Sequence, residues 1–447
     1  MSLRSESLAQ AAIVFVHGFT GRGPGTWNDL APRIAAVPRL ASWDCWTVTY
    51  ATNWLPDIGG IWTADADLPT LAWRLSTDLR LGTLARYKAL VLVAHSMGGL
   101  IVQKALVDSA EIANKTTAVI LFGTPSAGLV KAWPIWFWKQ QLAGMARDCP
   151  FVRQLRGDWR ERFAVHCPFS FLSVAGERDQ FVPPASSLAP FAADQRAVIK
   201  GNHVSMIHPP ADDPSVVDLV VRRIVERGPI DRGDPALRAI EMAEFQGLIA
   251  GSLDDAASLD RQALIRLAVA LDRVGRRDDA HRVLAGRGEL CSDVLGTMAD
   301  VIKRKWLLDR REDDARAAVA YYKEGFDLAD GNLRQAYYHG GNLAFMAMVF
   351  ENNRDAANNW AQRVITICRQ AAAAGTTDEW LDAADGEAHL ISGQTDAALD
   401  AYRRFASAEH DPWKLCATYL NAREIAVSLA SRELARTLGE IFGDPDP

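Results

Sequence analysis

At 447 residues the chain is too long for one ordinary core and suggests two or three domains. Its 49% hydrophobic and 23% charged content is that of a globular protein, and no run of about 18 apolar residues suggests a membrane-spanning helix. The net charge of −6 is unevenly shared, with 23 Lys and Arg against 19 Asp and Glu in residues 1–227 and 26 against 36 in the remainder; neither part carries the basic stripe that tracks nucleic acid.

The opening stretch MSLRSESLAQAAIVFVHG has a short apolar run that ends in a loop, which reads as a first strand and not as a secretory signal. Further β-rich runs follow at 44–51, 89–96, 117–125, 169–176 and 196–203. They are continuous apolar runs without strict alternation, as expected of strands buried on both faces of a parallel sheet. Helical stretches such as DLPTLAWRLSTDLRLG and GGLIVQKALVDSA fall between them, so the fold class predicted for residues 1–227 is a doubly wound, mostly parallel α/β domain. An insertion at about 126–163 separates the fourth run from the fifth and reads as a cap. Its aromatic residues Trp133, Trp136 and Phe137 suit either an acyl pocket or the pinning of the cap to the body.

The proline- and glycine-containing stretch at 228–235 reads as a linker, and residues 236–447 as an all-α domain. There a six-residue turn recurs as GRRDDA (275–280), RREDDA (310–315), NNRDAA (352–357) and GQTDAA (393–398). One helix hairpin per 35 to 42 residues is the mark of a tetratricopeptide-like solenoid. The aspartates Asp278, Asp313, Asp355 and Asp396 are expected to cap the second helix of each hairpin.

The chemistry centres on AHSMG (94–98). A serine between a strand and a helix, with small residues two before and two after it, fits a tight turn that exposes a nucleophile; Ala94 and Gly98 fill those two places. Ser96 is therefore the candidate nucleophile. An oxyanion hole needs backbone amides, expected from Met97 and, in the loop HGFTGRGPGTW after the first run, from Phe19. The acid is expected on VAGERDQFVPP as Asp179, with Glu177 as rival, and the base on VIKGNHVSMIHPP as His203, with His208 as rival. The chain order Ser96, Asp179, His203 is that of α/β-hydrolases.

Residues 12–225 resemble the serine esterase and lipase branch of the α/β-hydrolase superfamily, through FVHGFTG, VLVAHSMGGLIVQKAL and VILFGTPSAG. The resemblance implies Ser96, Asp179 and His203 as the triad, with Phe19 and Met97 as oxyanion donors. Separately, DLADGNLRQAYYHGGNLAFMAMV (327–349) is similar to the helical repeat region that binds TRAF proteins in some MAP kinase kinase kinases, a region that bacterial proteins also carry beside enzymatic domains. Tyr338, Gly340, Asn342 and Ala344 match its Tyr-x-Gly-x-Asn-x-Ala core, and Gly341 stands where an aliphatic residue is usual.

The expectation is a serine hydrolase acting on a small-molecule or lipid-like ester, with no cofactor and no metal. The repeats are expected to bind a protein partner, self-associate or regulate. The alternatives are an amidase or acyltransferase using the same triad, or a silent hydrolase fold serving as an interaction module. Six scattered cysteines without a Cys-x-x-Cys pair point to reduced thiols and a cytoplasmic setting.

Overall fold

The computed structural model describes residues 9–17, 23–48, 67–129, 149–225, 234–286 and 290–444. The chain divides into two compact units, one of Met1–Arg227 with Asp234–Gly247, the other of Gly228–Gly233 with Leu248–Pro447.

Among the described residues of the first unit six strands form one parallel sheet: β1 (Ala11–Val16), β2 (Trp43–Val48), β3 (Ala89–His95), β4 (Thr116–Phe122), β5 (Ser170–Gly176) and β6 (Arg196–Ile199). Their spatial order is β2-β1-β3-β4-β5-β6. Strands β1, β3 and β4 are buried along their whole length, which explains why they are apolar without alternation. Helices α1 (Leu30–Ala35), α2 (Leu68–Arg80), α3 (Met97–Asp108), α4 (Ala110–Lys115), α5 (Pro150–Phe163), α6 (Pro184–Leu188) and α7 (Ser215–Val225) complete the α/β layers. Helix α2 starts where Asp67 accepts from the Thr70 amide at 2.9 Å, a side-chain cap followed by Pro69 in the first turn.

One face of the sheet packs Val14, Leu90 and Leu92 with residues of α2 and α3; the other packs Ile13, Phe15 and Val91 with α1 and α7. Ala236, Ala239, Ile240 and Ala243 belong to that second layer. They lie on α8 (Pro235–Ser252), so the first turns of a helix that the sequence assigned to the repeats pack with the α/β unit.

The second unit is built from helices α9 (Arg261–Arg273), α10 (Arg277–Ala285), α11 (Ser292–Asp309), α12 (Glu312–Asp327), α13 (Leu333–Val349), α14 (Arg354–Ala373), α15 (Leu381–Ile391), α16 (Thr395–Ser407), α17 (Pro412–Ser428) and α18 (Arg432–Phe442). Among the described residues successive helices pair as five hairpins. The recurring turn has a backbone cause. Its first residue takes a left-handed conformation each time: Gly275 (φ 87°), Arg310 (φ 53°), Asn352 (φ 48°) and Gly393 (φ 73°). That reversal lets the next amide reach back to a carbonyl of the finished helix, as Arg276 N does to Leu271 O at 2.7 Å and Gln394 N to His389 O at 2.9 Å. The aspartates do not cap as expected. They sit inside the first turn of α10, α12, α14 and α16, where a negative charge favours the helix dipole. The one side-chain cap among these four is made by Asn353, which accepts from the Ala356 amide. A fifth turn of the same kind, at Ala430 (φ 54°), joins α17 to α18.

Candidate active site

The site forms at the carboxyl ends of β3, β4 and β5. Strand β3 stops at His95 and α3 begins at Met97, leaving Ser96 alone on the corner with φ 55° and ψ −129°. A non-glycine residue held there costs on the order of 1–3 kcal/mol, so the surroundings must impose it. Two of them are visible. The Ser96 amide donates to Phe122 O at 2.9 Å. Gly98 lets α3 press against the end of β1, since a Cβ at that position would lie 2.6 Å from His17 O and 2.7 Å from Val16 O. The Ala94 methyl is fully buried beside Val16, its partner in the strand register.

His203 arrives on the loop after β6. Gly201 turns the chain with φ 121°, and Asn202 Oδ1 accepts from the amides of Val204 (3.0 Å) and Ser205 (2.9 Å). Asp179 follows β5 on a loop in which its own Oδ1 accepts from the amides of Phe181 (3.0 Å) and Val182 (2.8 Å). The second oxygen, Oδ2, lies 2.8 Å from His203 Nδ1, and His203 Nε2 lies 3.0 Å from Ser96 Oγ. A carboxylate only accepts, so Nδ1 carries the proton and Nε2 is free to accept from the serine hydroxyl. Gly123 (φ 52°) leaves the room: a Cβ there would stand 3.1 Å from His203 Nδ1 and 3.2 Å from Asp179 Oδ2. All three side chains are nearly buried.

The rival residues lie elsewhere. His208 Nδ1 pairs with Asp29 Oδ2 at 2.6 Å, and Glu177 is an exposed partner of Arg178 at 3.5 Å. Met97 is the first residue of α3, where helix geometry leaves the amide without an intrahelical acceptor. Phe19, Trp133, Trp136 and Phe137 lie outside the described residues. Of the insertion, the far end is described as α5. There Trp159 packs on Phe163, Phe169, Phe171 and Phe191, which pins that helix to the sheet. Arg156, on the same helix, donates to Gln103 Oε1 of α3, and Gln103 Nε2 donates to Ser126 Oγ at 3.2 Å.

Sequence reasoning missed His95. Its Nε2 lies 2.8 Å from the backbone oxygen of His203, and its ring packs 4.7 Å from the His203 ring and 6.3 Å from Trp27. A carbonyl only accepts, so Nε2 carries the proton. Burial first, and the His203 charge second, push His95 down to about 3, which keeps it neutral. Its place before the serine was the only sequence signal; the contact spans 108 residues.

The arrangement can deprotonate a hydroxyl as it attacks, and hold the resulting imidazolium against a fixed carboxylate. Among the described residues there is no His, Cys, Asp and Glu cluster able to hold a metal ion, and no helix is long and apolar enough to cross a membrane.

Protein SERAC1 of Mus musculus is 22% identical over 211 residues, 40% of this chain and 32% of the relative. Protein SERAC1 of Bos taurus is 25% identical over 203 residues, 38% of this chain and 31% of the relative. The chain thus spans about a third of the length of these curated relatives. Among solved structures, YbtT, a type II thioesterase from the yersiniabactin NRPS/PKS biosynthetic pathway, aligns with 17% identity and a TM-score of 0.31, covering 50% of this chain and 96% of its own. The Tetratricopeptide Repeats-Sensor family matches residues 242–347. The alpha/beta hydrolase family matches residues 13–249, more than half of the chain, and the protein belongs to that family.

Proposed function

We propose that the protein is a serine hydrolase that cleaves carboxylic esters of acyl or lipid-like substrates through an acyl-Ser96 intermediate. The observation that carries this reading is the unbroken chain from Ser96 Oγ through His203 to Asp179, at 3.0 and 2.8 Å, on a strained strand-to-helix corner. Ser96 Oγ attacks the ester carbonyl carbon while His203 Nε2 takes its proton. Asp179 holds the His203 ring and offsets its charge. The Met97 amide, with the Phe19 amide of the loop after β1, stabilises the oxyanion. His203 then gives its proton to the departing alcohol, and water attacks the acyl-serine carbonyl as its proton passes to the same nitrogen; the adduct collapses by breaking the bond to Ser96 Oγ, which takes that proton back as the acid leaves. Trp133, Trp136 and Phe137 are assigned to the acyl pocket. The chemistry uses no cofactor and no metal.

The helical repeats are assigned a regulatory or partner-binding role, in keeping with the name of the family that matches 242–347. Turnover of short p-nitrophenyl esters tests the enzymatic reading. The wild-type protein is expected to release nitrophenol, and Ser96→Ala to lose this by several orders of magnitude with its fold intact. Equal turnover in the two proteins refutes the mechanism.

A further inference from the structure

The first helices of the five hairpins, α9, α11, α13, α15 and α17, line a cavity of 540 Å³ within the second unit. That volume is in the range of small-molecule sites. Its floor is charged and nearly sealed. Lys303, only 4% exposed, donates from Nζ to Asn342 Oδ1 at 2.5 Å and stands 3.8 Å from Asp300. Glu387, 8% exposed, accepts from Asn421 Nδ2 at 3.0 Å, and burial pushes its carboxyl up. Burying such groups costs several kcal/mol each, and a hairpin stack held by alanine, leucine and tyrosine contacts has no need of them.

The wall contributed by α9 carries Arg266 and Arg273, two turns apart on one face of the helix. The Arg273 guanidinium lies 4.2 Å over the Trp413 ring, and its buried Nε makes no hydrogen bond. Its nearest carboxylate, Asp272 at 4.0 Å, is already engaged by Arg304 at 2.5 Å and Arg277 at 3.3 Å. Burial, and then the Arg304 charge, pull Arg273 down to about 10. Arg266 is exposed and forms no ion pair among the described residues. Two guanidiniums therefore face the cavity without a closely committed anion. Trp380 and Trp413, with ring centroids 5.6 Å apart and planes inclined at 48°, supply an aromatic wall.

The Tyr-x-Gly-x-Asn-x-Ala stretch of α13 divides between two tasks. Gly340 meets α14, since a Cβ there would lie 2.9 Å from Val364 Cγ2. Tyr338 and Asn342 line the cavity instead. Gly341 lines it too, and a Cβ at that position would meet nothing within 4 Å.

We propose that this cavity binds a small organic anion with a flat apolar body, its carboxylate or phosphate taken by Arg273 and Arg266 and its body lying along the tryptophan wall. A guanidinium whose carboxylate neighbour stands 4.0 Å away and whose Nε makes no hydrogen bond, beside aromatic faces, fits such a group by charge-assisted hydrogen bonds. This assignment stands apart from the ester-hydrolase reading and does not rest on it.

Calorimetric titration of the full chain with benzoate, phenyl phosphate and uncharged benzamide tests it. Saturable one-to-one binding of at least one anion, at least tenfold tighter than benzamide, is expected. A preference for phenyl phosphate assigns the phosphate, and a preference for benzoate the carboxylate. Arg273→Gln and the exposed Arg266→Gln should each weaken that binding at least tenfold. Gly341→Leu grows into open space, so it should leave the melting temperature undiminished while abolishing binding. The proposal is overturned if neither anion saturates, if benzamide binds equally well, or if a folded Gly341→Leu or Arg266→Gln protein binds as the wild type does.

Discussion

His95 donates its Nε2 proton to the backbone carbonyl of His203 across 2.8 Å, so the residue before the candidate nucleophile supports the loop that carries the candidate base. His95 is thus read as a positioning residue. His95→Leu removes the donor and should lower kcat roughly 10- to 100-fold with little change in KM, as expected when a base is misplaced by a fraction of an ångström. His95→Gln, whose amide nitrogen reaches about as far as Nε2, should restore much of the loss. Steady-state kinetics on a soluble ester distinguish this from general destabilisation, which lowers the active fraction in both variants alike.

The same residue sets an acid limb of stability. Unfolded, His95 titrates near 6.5; folded, burial holds it near 3. Between these values the unfolded chain binds more protons than the folded one, so stability falls as pH drops from about 6.5 towards 3. His95→Gln has no such group, and its stability should decline less over that window. Urea unfolding at a series of pH values measures the difference; identical declines in the two proteins contradict it.

Asp179→Asn should reduce kcat by on the order of 10⁴-fold near neutral pH. Asp179 Oδ2 accepts from His203 Nδ1, and an amide nitrogen placed there donates instead. The imidazole then turns to the other tautomer and presents a proton, not a lone pair, to Ser96. Activity of Asp179→Asn should rise with pH, and a flat profile at full activity contradicts the assignment. His208→Ala should be mild by comparison, because His208 is paired with Asp29 and not with Ser96.

Two glycines in helices should respond oppositely to alanine. Gly98→Ala drives a methyl into the carbonyls of Val16 and His17, and should cost about 1–3 kcal/mol or displace the corner. Gly157 of α5 has nothing within 4 Å of an added Cβ, so Gly157→Ala should stabilise by about 0.5–1 kcal/mol. Denaturant titration of both variants checks the pair.

The legible parts of this protein are those set by local pattern. The apolar runs at 89–96 and 117–125 became β3 and β4 because strands buried on both faces admit little else. The serine corner was legible from the strand before it and the glycines after it. Asp179 and Glu177, or His203 and His208, are separable in sequence only by their distance from a strand end and by the prolines that follow, Val-Pro-Pro after Asp179 and the two prolines against His208. What distinguishes them in space is pairing across 24 residues for His203 with Asp179 and 179 residues for His208 with Asp29. The repeating turn is legible in the sequence but its cause is not: the left-handed first residue ends the helix, and the aspartate does not cap the next one. The fifth turn departs from the pattern because ASRELA carries Glu433 where the other four have aspartate. The cavity between α9 and α17 depends on how five hairpins stack, which no single repeat encodes.

The most direct measurement is site mapping of a fluorophosphonate adduct by mass spectrometry of the digested protein. These reagents label a serine hydroxyl only when a neighbouring base activates it. A single adduct on Ser96, lost in Ser96→Ala and strongly reduced in His203→Ala, is the predicted result. No adduct, or an adduct on another residue that survives Ser96→Ala, would contradict the account.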